Sequence, residues 1–229
     1  MLFSIFLVPI RSVASPYTPA SFQFLEDKWQ KAFSKDGISV FSQKIPDSAV
    51  LAFKATGILK APIEQIMEVL RRVEITKDWM PDTDIKETVK DISDYEAITF
   101  SVNDLPWPFA DRELLMNNRL RLDREEKFLV VDLFSVELAG HPITKNNVRA
   151  FLHMGKTLMR PVGESRTEIE FILLLDPRGH IPTWWVNIFQ KSMPFEFLKA
   201  LERKAGETEY YLRQSFRKIL NELIALLQT

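Results

Sequence analysis

Hydrophobic positions along this chain change period several times, and each change predicts an element. From Ser21, Phe22, Leu25, Trp29 and Phe33 recur at three- and four-residue spacing, which predicts a helix that Asp36-Gly37 ends. Two strand-like runs follow, 38–45 and 50–59, joined by the turn-forming PDS at 46–48. A proline-started helix is predicted over Pro62 to Arg72, with Ile63, Ile66, Met67 and Leu70 on its apolar face. A short helical turn then reaches Trp79, Met80 and Pro81. Beyond it the runs 84–90, 95–102, 112–123, 127–136, 148–160 and 166–176 read as strands, the later ones punctuated by Gly140, Pro142, Pro161, Gly163, Pro177 and Gly179. A helical region over Pro182 to Lys204 is interrupted at Pro194. An amphipathic helix over Glu207 to Gln228 follows, with Leu212, Phe216, Ile219, Leu220, Leu223 and Leu227 on one side.

Consecutive antiparallel strands with helices segregated from them predict an α+β fold. A sheet of that size curls, and a long apolar helix is the natural filling for its concave face, which is the helix-grip arrangement. Trp184, Trp185, Val186, Ile188, Phe189, Met193, Phe195, Phe197, Leu198 and Leu201 leave that helix almost no polar face, so it is either fully buried or lines an apolar hole.

Composition narrows the classes. The 229 residues are 46% hydrophobic and 27% charged, enough for one well-packed domain of above-average size. A net charge of −1 gives no surplus that points to nucleic acid or to basic partners. The absence of cysteine excludes disulfides, thiolate metal sites and cysteine nucleophiles. Met1 to Ile10 reads MLFSIFLVPI and is followed by Arg11 and SVAS. That run is too short to span a bilayer, which takes about 20 residues, but it fits a secretory leader cleaved near Ala14 or Ser15. No basic residue precedes the apolar run, and a buried N-terminal segment or a mis-assigned start is the other reading.

The stretch Asp104 to Glu113, DLPWPFADRE, carries the most information. Pro106 and Pro108 make PWPF a rigid extended corner, and two rings on one corner predict burial of Trp107 and Phe109. Asp111 and Arg112 read as an ion pair pinning that corner. The stretch resembles the "PWP…DRD" signature of the START family, the lipid-transfer domains related to steroidogenic acute regulatory protein. Three further segments resemble that family in the right order: Trp29 through KDGISVFSQKIPDS, DWMPDTDIKE at 78–87, and RGHIPTWWVNIFQKSMPFEFLKAL at 178–201. The resemblance covers roughly residues 22 to 204. It implies a START/Bet v 1-like helix-grip fold in which a curved antiparallel sheet grips a long C-terminal helix around an apolar cavity. It also implies a non-catalytic function: binding, and transfer between membranes, of a lipid or other apolar small molecule. The chain then divides into a leader at 1–20, a lipid-binding domain at 21–204 and a helical extension at 205–229.

Alternation supplies candidate ligand contacts. On the strand 112–123, Leu114, Met116, Asn118, Leu120 and Leu122 share one face, where Asn118 is the only polar side chain. Other faces offer Phe128, Val130 and Phe134; Val148, Ala150, Leu152 and Met154; and Ile169, Phe171, Leu173 and Leu175. The expected ligand-binding set is Phe100, Met116, Asn118, Leu120, Phe134, Phe171, Leu173, Trp185, Phe189 and Met193. In sterol-binding members of the family an acid and an arginine pair inside the pocket. By the resemblance, those sites fall on Phe100 or Ser101 and on Asn118, neither charged, which implies a neutral or wholly apolar headgroup. Asn118 either meets the ligand or bonds only to Ser101 or backbone.

Other chemistry is missing from the sequence. His141, His153 and His180 are scattered without metal-ligand spacing, no GxSxG elbow occurs, and GKT at 155–157 has Ala150 where a P-loop needs glycine. No cofactor or metal is expected. The rival reading is a cyclase/aromatase-like enzyme, which would need a titratable side chain projecting into the cavity. The C-terminal amphipathic helix packs on the body, pairs with another chain, or lies on a membrane surface. Partners are thus an apolar ligand and a transient membrane contact, without nucleic acid. The location is periplasmic or secreted if the leader is real, and cytoplasmic otherwise.

Overall fold

The structure is a computed structural model that describes residues 26–46, 48, 50–209 and 211–228, with backbone alone for 183–190. The leader-like segment 1–20 and the first predicted helical positions, Phe22 and Leu25, lie outside the described residues, as do the side chains of Trp184, Trp185, Val186, Ile188 and Phe189.

The predicted first helix is not what residues 29–35 form. A 3₁₀ turn at Glu26–Lys28 leads into strand β1, Gln30–Lys35, which pairs antiparallel with β2, Ile38–Lys44. Asp36 and Gly37 both have positive φ, 51° and 78°, so this dipeptide makes the tight turn of a hairpin instead of ending a helix. Four apolar residues at helical spacing were outweighed by an Asp-Gly turn that closes a hairpin with the right twist.

Strand β3, Leu51–Leu59, completes the first group, and helix α1, Ile63–Arg71, follows it. The meander then runs β4 (Thr83–Ser93), β5 (Glu96–Asn103), β6 (Arg112–Asp123) and β7 (Phe128–Ser135). The predicted strand 148–160 is divided: β8, Val148–Arg149, pairs parallel with β6, and β9 occupies Phe151–Pro161. Strand β10, Thr167–Asp176, closes the sheet against β3. The sheet order is β1-β2-β3-β10-β9-β7-β6-β5-β4, all antiparallel along that path. Register shifts interrupt β4/β5 at three points and β9/β10 at one, and such bulges bend and twist the ladder.

Helix α2, Thr183–Gly206, lies in the concavity as one continuous helix; Pro194 is inside it and does not interrupt it. Its Leu198 and Leu201 are fully buried, and Phe197 stacks on Phe171 of β10 at 4.5 Å between ring centroids. The Lys60 backbone N–H donates to Glu202 at 2.8 Å and fixes the helix to the end of β3. Helix α3, Gln214–Leu227, begins seven residues later than the pattern predicted, because 207–209 and 211–213 are not helical. Its Phe216, Ile219, Leu220 and Leu223 join the main core and it packs against β6 and β7, which settles the predicted amphipathic helix on the body. The Tyr95 hydroxyl donates to the Ser215 carbonyl at 2.9 Å and seats the start of α3 beside the β4–β5 hairpin.

Candidate ligand pocket

Between the inner face of the sheet and helices α1, α2 and α3 lies a pocket of about 440 Å³. This falls within the usual range of small-molecule sites, about 300–1,000 Å³. Antiparallel pairing decides which residues face it. Leu114, Met116, Asn118 and Leu120 of β6 line the pocket, with Val131 and Leu133 of β7 beside them. Leu152, Gly155, Thr157 and Met159 of β9 and Phe171, Leu173 and Leu175 of β10 form the floor. Gly155 lets the strands approach closely there: a Cβ on it would stand 3.2 Å from Leu133 Cβ, a tight contact.

Of the expected contacts, Met116, Asn118, Leu120, Phe171, Leu173 and Met193 line the pocket, and the side chains of Trp185 and Phe189 lie outside the described residues. Phe100 and Phe134 are corrections. Phe100 pairs with Leu115 and Phe134 with Asn117, both on the outer face of β6, so neither reaches the pocket. Strand β7 is apolar on both faces except for Asp132 and Ser135, so its alternation could not tell inside from outside. Met154 likewise points outward opposite Leu174, because the bulge between Leu174 and Leu175 shifts the face of β9.

Asn118 donates from Nδ2 to Thr99 Oγ1 at 2.9 Å and to the carbonyls of Met116 and Ala97 at 3.1 and 3.4 Å. Its bond is to Thr99 and backbone; Ser101 instead accepts from Asn103 Nδ2 at 3.3 Å. The polar wall is therefore broader than one amide. It includes Lys86 and Thr88 of β4 and Thr99, Ser101 and Asn103 of β5. Lys86 was invisible in the sequence because β4 inverts the usual alternation: Ile85 is 43% exposed while Lys86 turns to the pocket. Burial lowers the Lys86 ammonium to about 8.

The PWPF corner also departs from expectation. Trp107 is 93% exposed and only Phe109 is half-buried, since the two prolines hold the corner away from the sheet. Asp111 and Arg112 do not pair. Asp111 accepts from the Leu105 N–H at 3.2 Å, and Arg112 donates to the carbonyls of Pro177 at 2.7 Å, Arg178 at 3.0 Å and Ala110. Burial lowers the Arg112 pKa, with the charge of Asp111 opposing. Arg112 thereby ties two loops that both reach the pocket rim, 104–111 and 177–182. Gly179, at φ +72° with its missing Cβ 3.2 Å from Arg112 Nη2, makes room for that clamp.

A curved sheet gripping a helix around a pocket with a mostly apolar floor and one polar wall defines a helix-grip, small-molecule-binding domain. Residues 23–208 match the START domain family, and the chain belongs to that family. It is similar to a solved STAR-related lipid transfer protein from Xanthomonas axonopodis, with 26% identity and a TM-score of 0.70 over 79% of this chain and 99% of that one. Among curated proteins it is 27% identical to mouse START domain-containing protein 10 over 76% of this chain, spanning 59% of that relative's length. It is also 22% identical to mouse phosphatidylcholine transfer protein over 75% of this chain and 80% of the relative.

Proposed function

We propose that this chain binds one lipid in the pocket between sheet and α2 and carries it between membranes without catalysis. The observation that carries this reading is the pocket itself, about 440 Å³ with an aliphatic and aromatic floor, set in a fold whose relatives include proteins named for lipid transfer. Among the described residues no group of His, Asp and Glu could hold a metal ion, and no helix is long and apolar enough to cross a membrane. Trp107 stands on a rim loop whose neighbours Asp104 and Leu105 line the pocket. An exposed indole suits the membrane–water interface, so we assign membrane contact to this corner. If the leader at 1–20 is cleaved, the carrier works in a periplasm or outside the cell.

The test is transfer of a pyrene-labelled phospholipid from donor to acceptor vesicles. A rate proportional to protein concentration, slowed in Trp107→Ala with an unchanged melting temperature, is expected. No transfer and no bound lipid would refute the carrier. A cyclase-like catalyst is the second reading, favoured by Lys86, a titratable group on the pocket wall with a pKa of about 8. Against it, no histidine or carboxylate bonds Lys86 to form an acid–base set among the described residues.

A further inference from the structure

On the wall made by β4 and β5, three donors face the pocket without a described acceptor: the Lys86 ammonium and the hydroxyls of Thr99 and Ser101. Lys86 forms no ion pair and no hydrogen bond among the described residues. Asn103 Nδ2 donates to Ser101 Oγ and also, at 3.4 Å, to the Arg112 carbonyl, which can only accept; the amide orientation is thus fixed and Ser101 Oγ serves as acceptor. Asn118 Nδ2 treats Thr99 Oγ1 the same way, its orientation fixed by the Met116 and Ala97 carbonyls. Each hydroxyl keeps its own hydrogen, with no described acceptor, and both residues are nearly inaccessible, Thr99 at 2% and Ser101 at 3%. Register places Lys86 opposite Ser101 and Thr88 opposite Thr99, so the ammonium and both hydroxyls lie on one face, two residues apart along β5.

An ammonium and two hydroxyls without acceptors beside an apolar floor are best completed by an anion, because a desolvated cation is costly unless paired. The pKa of about 8 leaves Lys86 mostly protonated at neutral pH. Edge strands do use inward charges to prevent sheet-to-sheet pairing, and β4 is an edge. Edge protection accounts for a lysine, but not for two hydroxyls on the next strand whose hydrogens point nowhere else.

We propose that Lys86, Thr99 and Ser101 receive the headgroup of an acidic lipid, one net negative charge carried on a carboxylate or a phosphate diester. The proposal rests on the carrier reading above and names its ligand class, reversing the neutral headgroup that the uncharged Asn118 and Ser101 implied. A zwitterionic headgroup would need an acid for its cation beside this cluster, and the acids of the pocket do not pair with Lys86: Glu96 accepts from Asn117 at 2.8 Å and Glu74 from Arg72 at 3.0 Å, while Asp82, Asp91, Asp94 and Asp104 line the pocket without an ion pair to it.

The test loads delipidated full-length chain from phosphatidylcholine vesicles doped with oleate, phosphatidylglycerol or dioleoylglycerol, and counts bound lipid by native mass spectrometry. Oleate or phosphatidylglycerol should exceed phosphatidylcholine and dioleoylglycerol by about tenfold or more, the worth of one charge-assisted hydrogen bond. Which of the two loads identifies the carboxylate or the phosphate. Lys86→Met should abolish the preference, Lys86→Arg keep it, and Ser101→Ala weaken it, with melting curves confirming the fold. Equal loading of dioleoylglycerol or phosphatidylcholine, or a preference surviving in Lys86→Met, overturns the headgroup site alone. Loading of no lipid overturns the carrier reading and this proposal with it.

Discussion

Lys86→Met should make the empty protein more stable while removing its selectivity. Burial displaces the lysine from an ordinary value of 10.5 to about 8. At about 1.4 kcal/mol per pKa unit, that displacement corresponds to a ceiling of about 3 kcal/mol of disfavoured charge. Lys86 is half-buried and faces open pocket, so solvent reduces the cost to ~1–2 kcal/mol. Methionine keeps much of the stem and none of the charge, and for a chain of this size the gain corresponds to a rise in Tm of about 2–8 °C. The pH dependence has a definite sign. Between about 8 and 10.5 the unfolded chain holds a proton on Lys86 that the folded chain has released. Wild-type stability therefore rises with pH across that window. The advantage of the methionine variant is full below about pH 8 and shrinks toward pH 10.5. Differential scanning calorimetry of delipidated protein at neutral and high pH reads both effects. A variant melting below wild type, or a gap unchanged by pH, would show that Lys86 is well solvated and that the pocket wall is misread.

Glu113, fully buried, accepts from Arg149 Nε at 2.8 Å and from the Thr144 N–H at 3.2 Å, with Arg149 Nη2 2.7 Å away in the same ion pair. Glu113→Gln breaks this pair and should cost about 3–5 kcal/mol, lowering Tm by roughly 6–20 °C. Burial pushes that carboxyl up, but the bonds to Thr144 and Arg149 overcome it and hold the pKa below 4.5. Its stabilising share is thus present above pH 4.5 and lost as acid titrates the folded pair, which an acid-unfolding curve of wild type against the variant will show. Arg112→Lys retains the charge but cannot reach three carbonyls from two loops; proteolysis at 104–111 and 177–182 should accelerate, and an unchanged digestion pattern would count against the clamp. Asn118→Leu removes the donor to Thr99 and two carbonyls and should destabilise by about 1–3 kcal/mol in chemical denaturation. Because Thr99 then loses its partner, lipid retention should fall as well; unaltered retention would separate Asn118 from the site.

The fold was largely legible because its signals are local. Alternation marked the meander from 84 to 176, Pro62 marked the start of α1, and the apolar run after Pro182 marked the gripped helix. What failed depended on partners distant in sequence. Phe33 reads as helical until β2 pairs with its strand, and Phe134 reads as inward until the register with Asn117 turns it out. Six of the ten expected contacts line the pocket, through faces whose polarity differs clearly from the opposite side. Lys86 could not be found that way. On an edge strand with three register shifts, the polar residue turned inward and Ile85 outward, so periodicity gave the inverse of the geometry. Arg112 was visible as an unusual residue, but its acceptors come from a loop more than sixty residues on, and an adjacent aspartate offered a simpler partner.

The most direct measurement of the carrier reading is native mass spectrometry of the chain as purified, followed by organic extraction of whatever travels with it. The expected result is a single acidic lipid at near-equal stoichiometry, with the preference for the acidic headgroup lost in Lys86→Met. An apo mass that stays apo after exposure to vesicles of every headgroup charge would contradict it.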